Sequence, residues 1–220
     1  MLQHAEKRKI LIIDDHPIMR QGLQQCLDQE PDLTVCGQLE NGGGAIAAIQ
    51  ETEPDLLIVD ISLPDENGIR LLKRIRSIYP NLRSLVLSMH DESLYAERAL
   101  RAGANGYVMK EQPADILMQA IRKVLKGEVY LSDKVSTMLV NRLVGAERKS
   151  AKFGVDRLSD RELEVFQLIG SGVKTRDIAD KLSVSIKTVE THRSRIKEKM
   201  NLPSSTELVH YAVNWVKNDS

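Results

Sequence analysis

The sequence predicts an α/β domain with a doubly wound, five-stranded parallel sheet, followed by a small all-α domain. Five short apolar runs alternate with helical patterns as far as about residue 126, and only helical patterns follow residue 155. Buried strands of a parallel sheet appear in a sequence as short, continuous apolar runs. The 220 residues are enough for two domains. We expect the first domain at 1–127, a linker containing a helix at 128–155, and the second domain at 156–220.

Each apolar run is followed by a segment with helical periodicity. The predicted strands are KILII (9–13), LTVCG (33–37), DLLIV (55–59), RSLVL (83–87) and GYVM (106–109). The predicted helices lie near 17–29, 43–51, 68–77, 92–102 and 113–126. Pro17 stands in the opening turn of the first helix, where proline is favoured. Five strand-then-helix units are typical of a doubly wound parallel sheet.

The alternation ends after the fifth helix. Residues 135–145 could form one more helix, and the polar, basic and glycine-bounded segment GAERKSAKFG (145–154) predicts a linker. The helices predicted beyond it cover 159–170, 175–182, 186–200 and 204–217. Short turns separate these helices, which indicates a helix-turn-helix arrangement.

The formal net charge is zero, but the charged residues are unevenly distributed. Residues 148–220 contain 14 Lys and Arg against 10 Asp and Glu, whereas residues 1–147 contain 17 against 21. An acidic first part and a basic second part suggest different partners, with nucleic acid as a partner of the basic part.

The two cysteines and the N-terminus predict a cytoplasmic protein. Cys26 lies in a helical pattern and Cys36 in a strand pattern, so we expect small buried side chains without a disulfide, metal or catalytic role. Such cysteines suit a reducing compartment. The first residues lead straight into a strand without a signal peptide, and no apolar run is long enough to span a bilayer.

Polar residues follow four of the predicted strands. Asp14 and Asp15 follow the first, Asp60 the third, Ser88 the fourth and Lys110 the fifth. Ligand sites in open α/β sheets lie at the carboxyl ends of the strands, so these residues should share a pocket. Three carboxylates with an ammonium and a hydroxyl predict a site for Mg²⁺ beside a phosphoryl group, with Asp60 as the nucleophile. One strand-end Asp is more often a turn residue, but the combination favours a functional site.

The segments that carry these residues resemble the CheY-like receiver domain of two-component response regulators, from residue 9 to about 126. The matching segments are IIDDHP (12–17), VDISLPDENG (59–68), LVLSMHD (85–91) and AGANGYVMK (102–110). The resemblance implies that Asp60 is the phosphoacceptor, that a sensor histidine kinase supplies the phosphoryl group, and that Lys110 binds it. The Mg²⁺ ligands implied by the resemblance are Asp14, Asp15, Asp60 and the main-chain carbonyl of Ser62.

The resemblance also assigns a switch to this site. Ser88 would move toward the phosphoryl group, and Tyr107 would turn inward to fill the space left behind. Ser62 and His90 should flank the phosphorylated Asp60. We expect these two flanking residues either to influence the lifetime of the phosphoryl group or to be plain exposed side chains.

The segment SVSIKTVETHRSRIKEKM (183–200) predicts a DNA-recognition helix. On a helix, Val189, Ile196 and Met200 fall on one narrow arc facing the core, with Arg193 beside it. A narrow apolar stripe opposite a polar face is typical of the second helix of a helix-turn-helix, although a single such helix is more often simply solvated. Three stretches resemble the LuxR-type DNA-binding module of the NarL/FixJ group of response regulators. They are LSDRELEV (158–165), DIADKLSVS (177–185) and KTVETHRSRIKEK (187–199).

The chemistry and position of the polar side chains predict two kinds of DNA contact. The residues expected at base edges are Lys187, Glu190, Thr191 and Ser194. The residues expected at phosphates are Lys174, Thr175, Thr188, His192, Arg195 and Lys199. The last helix carries Leu208, Tyr211, Ala212 and Trp215 at helical spacing, and these side chains either pack on their own domain or form a dimer surface.

Together the two resemblances predict a NarL/FixJ-type response regulator rather than an enzyme. Phosphorylation of Asp60 would control sequence-specific binding of a homodimer to double-stranded DNA. One alternative is a DNA-binding regulator with a vestigial receiver that ignores phosphorylation. The other is a Mg²⁺-dependent aspartyl phosphatase, but such enzymes typically have a second acid two residues after the nucleophile, where this sequence has Ser62.

Overall fold

A computed structural model describes residues 7–144 and 154–218 of the chain. The chain divides into two compact units, Met1–Val140 and Asn141–Ser220. The predicted linker at 145–154 lies outside the described residues except for Gly154, as do the first six residues.

The first unit is an α/β sandwich around one sheet. Its elements are β1 (Arg8–Ile13), α1 (Pro17–Asp28), β2 (Leu33–Leu39), α2 (Ala45–Thr52), β3 (Leu56–Val59), α3 (Gly68–Ile78), β4 (Arg83–Ser88), α4 (Glu92–Arg101), β5 (Gly106–Met109), α5 (Ala114–Leu125) and the larger part of α6 (Asp133–Val144). All strand pairs are parallel and the strand order is β2-β1-β3-β4-β5. This is the doubly wound order of flavodoxin-like sheets, and it confirms the predicted fold class.

The sheet is apolar because helices cover both of its faces. All four residues of β3 and the last three of β1 are at most 1% exposed. Helix α5 supplies one covering face, formed by Leu117, Ala120, Ile121 and Val124. The two cysteines are free and half-buried, so they are less buried than the sequence pattern predicted.

The segment after α5 covers the edge of β5. The Tyr107 N–H donates to the Tyr130 carbonyl (3.2 Å), and the Tyr130 N–H donates to the Asn105 carbonyl (2.9 Å). A Cβ on Gly106 would lie 2.9 Å from the Tyr130 carbonyl oxygen, so glycine permits this close approach. The otherwise unpaired edge strand is thereby protected.

The second unit is helical. A 3₁₀ turn at Val155–Arg157 precedes α7 (Asp160–Gly170), α8 (Thr175–Lys181), α9 (Ile186–Met200) and α10 (Ser205–Asn218). The aromatic ring of Phe166 in α7 contacts Trp215 of α10 edge-on, with ring centroids 5.5 Å apart. Leu208 and Ala212 of α10 are fully buried, so one face of this helix packs on its own unit. None of the helices in the described ranges is long and apolar enough to cross a membrane.

Candidate functional sites

The register of the sheet brings the predicted site residues to one edge. Strand β1 pairs with β3 so that Ile13 lies beside Val59, and the residues that follow them are Asp14 and Asp60. The Asp60 N–H donates to the Ile13 carbonyl (2.8 Å), which fixes the two acidic residues side by side. On the other side of β3, Lys110 follows β5 and its N–H donates to the Ser88 carbonyl (2.9 Å).

Lys110 bridges two buried carboxylates. Its Nζ lies 2.7 Å from Asp14 Oδ2 and 2.8 Å from Asp60 Oδ2, and all three side chains are at most 3% exposed. Burial alone would lower the pKa of Lys110, but hydrogen bonds to Asp14 and Asp60 and their negative charges raise its pKa above the ordinary value. The ammonium is therefore charged and held against the proposed phosphoacceptor.

The acidic cluster is compatible with Mg²⁺. Asp14, Asp15 and Asp60 each offer a carboxylate oxygen, and together with a His16 ring nitrogen these atoms lie within 4.8 Å of one another. Asp60 Oδ1 is buried and has no hydrogen-bond partner among the described residues, which leaves it available to a cation. Oxygen-rich donor sets of this kind suit Mg²⁺.

His16 is a member of this cluster that the sequence reasoning did not include. Its Nδ1 lies 2.7 Å from Asp15 Oδ1, and its side chain is 58% exposed. The available signal was its place directly after the Asp14–Asp15 pair and before Pro17, at the point where the chain turns from β1 into α1.

The loop after β3 passes close to Asp60. Ser62 forms an isolated antiparallel bridge with Asn67, and the Asn67 side chain accepts from the Ile69 N–H to cap α3. A Cβ on Gly68 would lie 2.0 Å from the Asp60 carbonyl oxygen. Only glycine fits at this crossing, so Gly68 is required where the loop passes the Asp60 backbone.

The predicted switch residues lie together under the β4–α4 loop. Ser88 is fully buried and Tyr107 is 1% exposed. The Tyr107 hydroxyl donates to the His90 carbonyl (2.7 Å), so the ring points inward in this structure. Burial raises the pKa of Tyr107, which keeps its hydroxyl protonated as a donor.

Ser62 and His90 are hydrogen-bonded to each other. Ser62 Oγ lies 2.9 Å from His90 Nε2. The His90 ring stacks on Tyr95, with ring centroids 4.6 Å apart. Burial lowers the pKa of His90. The sequence pointed to both residues as neighbours of Asp60, but it carried no signal for their mutual contact or for the stack on Tyr95.

Six of the ten predicted DNA contacts are exposed, and five of these six lie on helix α9. Val189 and Ile196 are fully buried and Met200 is half-buried, as expected for the core-facing stripe. Ser185 caps the helix by accepting from the Thr188 N–H. The exposed residues among the predicted contacts are Lys174, Lys187, Glu190, Thr191, Ser194 and Arg195.

Several other predicted contacts also have partners within the unit. The Arg193 guanidinium donates to Thr175 Oγ1 (3.1 Å), and the Thr188 hydroxyl shares a hydrogen bond with Ser185 (2.8 Å). Lys199 Nζ lies 2.5 Å from Glu162 Oε2, whose side chain is 4% exposed. Lys199 is therefore already paired with this carboxylate, and a DNA phosphate would compete with it for the ammonium.

A polar groove runs beside the C-terminal part of α9. The residues that line it are Arg157, Glu162, Arg195, Glu198, Lys199 and Asn201. Arg157 was not among the predicted DNA contacts, although it adds a third cationic side chain to this groove.

Comparison with known protein families matches both units. The family described as "Response regulator receiver domain" matches residues 10–122. The family described as "Bacterial regulatory proteins, luxR family" matches residues 156–212. The two families together cover most of the chain.

Several relatives and solved structures match nearly the whole chain. The oxygen regulatory protein NreC of Staphylococcus haemolyticus is 40% identical over 209 residues, which are 93% of this chain and 96% of the relative. RcsB of Salmonella enterica serovar Typhimurium, solved bound to the promoter P1flhDC in the presence of the phosphomimetic BeF3⁻, is 29% identical with a TM-score of 0.68. That match covers 94% of this chain and 98% of RcsB. A structure of two RcsB dimers bound to two parallel DNAs is 30% identical, with a TM-score of 0.58 and coverage of 94% and 98%.

Proposed function

Because the chain belongs to the two-component response regulators with a LuxR-type DNA-binding domain, we propose that phosphorylation of Asp60 controls its binding to DNA. The observation that carries this proposal is the Lys110 ammonium between buried Asp14 and Asp60. We infer domain limits of 1–127 for the receiver, 128–155 for the linker and 156–220 for the DNA-binding domain. The family matches at 10–122 and 156–212 support these limits.

Asp60 is the proposed acceptor of a phosphoryl group from a sensor histidine kinase. A carboxylate oxygen of Asp60 attacks the phosphorus of the kinase phosphohistidine, an O–P bond forms, and the P–N bond breaks with its electron pair left on the imidazole. Lys110 pairs with a phosphoryl oxygen, and the Ser88 hydroxyl donates to another. Asp14, Asp15, Asp60 and the Ser62 carbonyl would hold Mg²⁺. Bound Mg²⁺ neutralises charge on the phosphoryl oxygens.

Phosphorylation by acetyl phosphate tests the acceptor directly. We expect intact-mass spectrometry to show Mg²⁺-dependent phosphorylation of the wild-type protein and none of Asp60→Asn. Asp65→Asn is the matched control, because Asp65 lies in the neighbouring loop and accepts from the Gly42 N–H (2.9 Å) outside the acidic cluster. Phosphorylation of Asp60→Asn at the wild-type level would refute the assignment.

The switch would act through the β4–α4 loop. Once Asp60 is phosphorylated, Ser88 moves toward the phosphoryl group and the inward position of Tyr107 is stabilised. The hydrogen bond from the Tyr107 hydroxyl to the His90 carbonyl supports this, since it ties the tyrosine to the loop that follows Ser88. Phosphorylation then biases an equilibrium between two states of the protein.

Helix α9 is the proposed DNA-recognition helix. Lys187, Glu190, Thr191 and Ser194 would contact base edges, and their exposure on one helix supports this. The residues proposed at phosphates are Lys174, Thr175, Thr188, His192, Arg195 and Lys199. We propose binding as a homodimer to paired half-sites, supported by the RcsB dimers solved on DNA. The protein would act in the cytoplasm, where a bacterial chromosome lies.

Ser62 and His90 are proposed to set the lifetime of phosphorylated Asp60. Their 2.9 Å hydrogen bond and the stack of His90 on Tyr95 hold both side chains beside the phosphoryl group, where they position or block the attacking water. We expect Ser62→Ala and His90→Ala to change the dephosphorylation rate of the purified phosphoprotein. If both variants decay at the wild-type rate, this role is refuted.

We propose that the protein does not turn over small phosphate esters. Ser62 stands where aspartyl phosphatases have a second acid, and its hydroxyl is bonded to His90. A chromogenic phosphate ester with Mg²⁺ should give no hydrolysis above that of Asp60→Asn. Sustained turnover lost in Asp60→Asn would favour the phosphatase instead.

A further inference from the structure

Arg161 links the first helix of the DNA-binding unit to the turn in front of α9. It lies in the first turn of α7, and its Nη2 donates to the Leu182 carbonyl (2.5 Å). Its Nη1 donates to Glu164 Oε2 on its own helix (2.8 Å), which holds the guanidinium at a second point. The Arg161 side chain is 28% exposed, so the cation is partly shielded from water. One side chain of α7 thereby holds a backbone atom between α8 and α9.

The turn between α8 and α9 has an uncommon backbone conformation. Leu182 directly follows the last residue of α8, and Ser183 comes next with a φ of 51°. Residues other than glycine rarely adopt this left-handed region, so surrounding contacts must hold the turn. Within the turn, the Val184 N–H donates to the Ala179 carbonyl (2.9 Å). Arg161 adds a hydrogen bond from a third helix, and its positive charge suits the C-terminal end of α8.

The next residue of α7 holds the other end of α9. Glu162 Oε2 lies 2.5 Å from the Nζ of Lys199, which is one residue before the end of α9. Two adjacent residues of α7, Arg161 and Glu162, are therefore bonded just before the start of α9 and in its last turn. A helix held at two points cannot tilt freely, and hydrogen bonds to base edges require well-defined donor and acceptor positions.

We propose that Arg161 is a positioning residue for DNA recognition, which holds α9 in the orientation that lets its exposed side chains reach the base edges. The inference rests on the proposed function, in which α9 is the recognition helix. Two donors of Arg161 are bonded within the unit, so we assign it no DNA contact of its own. Its loss should reduce discrimination between DNA sequences rather than the general attraction to phosphates.

Arg161→Met tests this role in the full chain, with and without acetyl phosphate and Mg²⁺. Methionine keeps an apolar stem and removes every donor. Fluorescence anisotropy compares a duplex that the wild-type protein selects from a random library with a shuffled duplex of the same composition. We expect the ratio of the two affinities to fall about tenfold, as for the loss of one charge-assisted hydrogen bond. The salt dependence of binding to the shuffled duplex should stay unchanged.

Glu164→Gln is the matched control, because it breaks the ion pair with Arg161 and leaves the bond to Leu182. It should keep the wild-type ratio of affinities. Residue-resolved amide hydrogen exchange examines the turn without DNA. Arg161→Met should speed exchange of the Val184 N–H about tenfold and leave the amides of α10 unchanged. A general loss of stability would instead speed exchange throughout the unit and weaken binding to both duplexes.

The proposal is overturned if Arg161→Met keeps the wild-type ratio of affinities, or if exchange rises equally in the turn and in α10. An equal loss on both duplexes, with a salt slope smaller by about 1, would make Arg161 a phosphate contact and would also overturn it. Failure of the proposed function gives a different result, since the wild-type protein would then select no sequence from the library. Exchange of the Val184 N–H would still show whether Arg161 holds the turn.

Discussion

The two units of the chain place their functional side chains in opposite environments. In the receiver, Asp60 and Lys110 are at most 3% exposed and hold each other by charge. In the DNA-binding unit, Lys187 and Thr191 are exposed, and only the helix that carries them fixes their position, through buried residues such as Val189. Substitutions in the buried charged site should change the unfolding free energy and the phosphorylation of Asp60. Substitutions on the exposed face should change the affinity for DNA and its dependence on salt.

Removing the ammonium group of Lys110 should have the largest effect on the stability of the receiver. Lys110→Met leaves Asp14 and Asp60 buried together without a positive charge. We expect the receiver to lose about 3–5 kcal/mol of unfolding free energy, the cost of breaking a buried ion pair from one side. Urea unfolding followed by circular dichroism measures the loss, and added Mg²⁺ should restore part of it. Lys126→Met, at an exposed position, is the control. A Lys110→Met protein as stable as this control would contradict the account.

Two glycines test close packing in the two units with the same substitution. A Cβ on Gly68 would lie 2.0 Å from the Asp60 carbonyl oxygen, and a Cβ on Gly170 would lie 2.4 Å from the Ala212 carbonyl oxygen. We expect each alanine variant to lose about 1–3 kcal/mol in calorimetric unfolding, because the backbone must move to make room. Gly68→Ala should also slow phosphorylation of Asp60.

Gly22→Ala is the control for both glycine variants. Gly22 lies in α1 with no atom within 4 Å of an added Cβ, so alanine there should stabilise the protein by roughly 0.5–1 kcal/mol through its helix propensity. If Gly68→Ala or Gly170→Ala were also stabilising, the crowding at that position would be disproved.

The buried carboxylate of the DNA-binding unit offers a pH test. Burial alone would raise the pKa of Glu162, but its bonds to Lys199 and Ser159 lower the pKa below the ordinary value. A carboxyl group with a lowered folded-state pKa stabilises the protein above its unfolded-state pKa, and this stabilisation is lost as the pH falls through the folded-state pKa.

Glu162→Gln should therefore cost about 1.5 kcal/mol near neutral pH and almost nothing in acid. Trp215, the single tryptophan of the chain, reports unfolding of this unit by fluorescence. Glu198→Gln, an exposed neighbour in the same groove, should show no such dependence. A cost for Glu162→Gln that persists unchanged in acid would rule out the charged pair as its source.

The smallest effect is expected at a single phosphate contact. Lys174→Ala should weaken binding nearly equally on specific and unrelated DNA, and should reduce the slope of log affinity against log salt by about 1. Lys187→Ala should instead reduce the preference for the specific site. Fluorescence anisotropy over a salt series separates the two, and an unchanged slope in Lys174→Ala would place that lysine off the DNA.

The sequence was most informative where the fold restricts geometry most. A parallel sheet brings its strand ends to one edge, so Asp14, Asp60 and Lys110 could be placed together from their positions after apolar runs. The contact between Ser62 and His90 joins two loops, and loop conformation does not follow from periodicity. His16 entered the cluster through the turn before α1, which strand patterns do not describe.

In the DNA-binding unit, the helices and the buried face of α9 could be predicted, but the contacts of individual side chains could not. The buried stripe of α9 could be predicted from the spacing of apolar residues. The hydrogen bond from Lys199 to Glu162 joins residues 37 positions apart, and the spacing of residues within one helix carries no information about such a contact. The sequence Ser159-x-x-Glu162 does match a capping box, which the structure contains, and this was the available signal that Glu162 faces inward.

DNA binding by the wild-type protein and Asp60→Asn, with and without acetyl phosphate and Mg²⁺ at fixed salt, tests the central claim most directly. Phosphorylation of Asp60 is proposed to control the DNA-binding unit, so the phosphodonor should tighten wild-type binding to its specific site and leave Asp60→Asn unchanged. Equal binding by both proteins under all conditions would contradict that claim. The helix-turn-helix would then remain a DNA-binding module beside a receiver that does not control it.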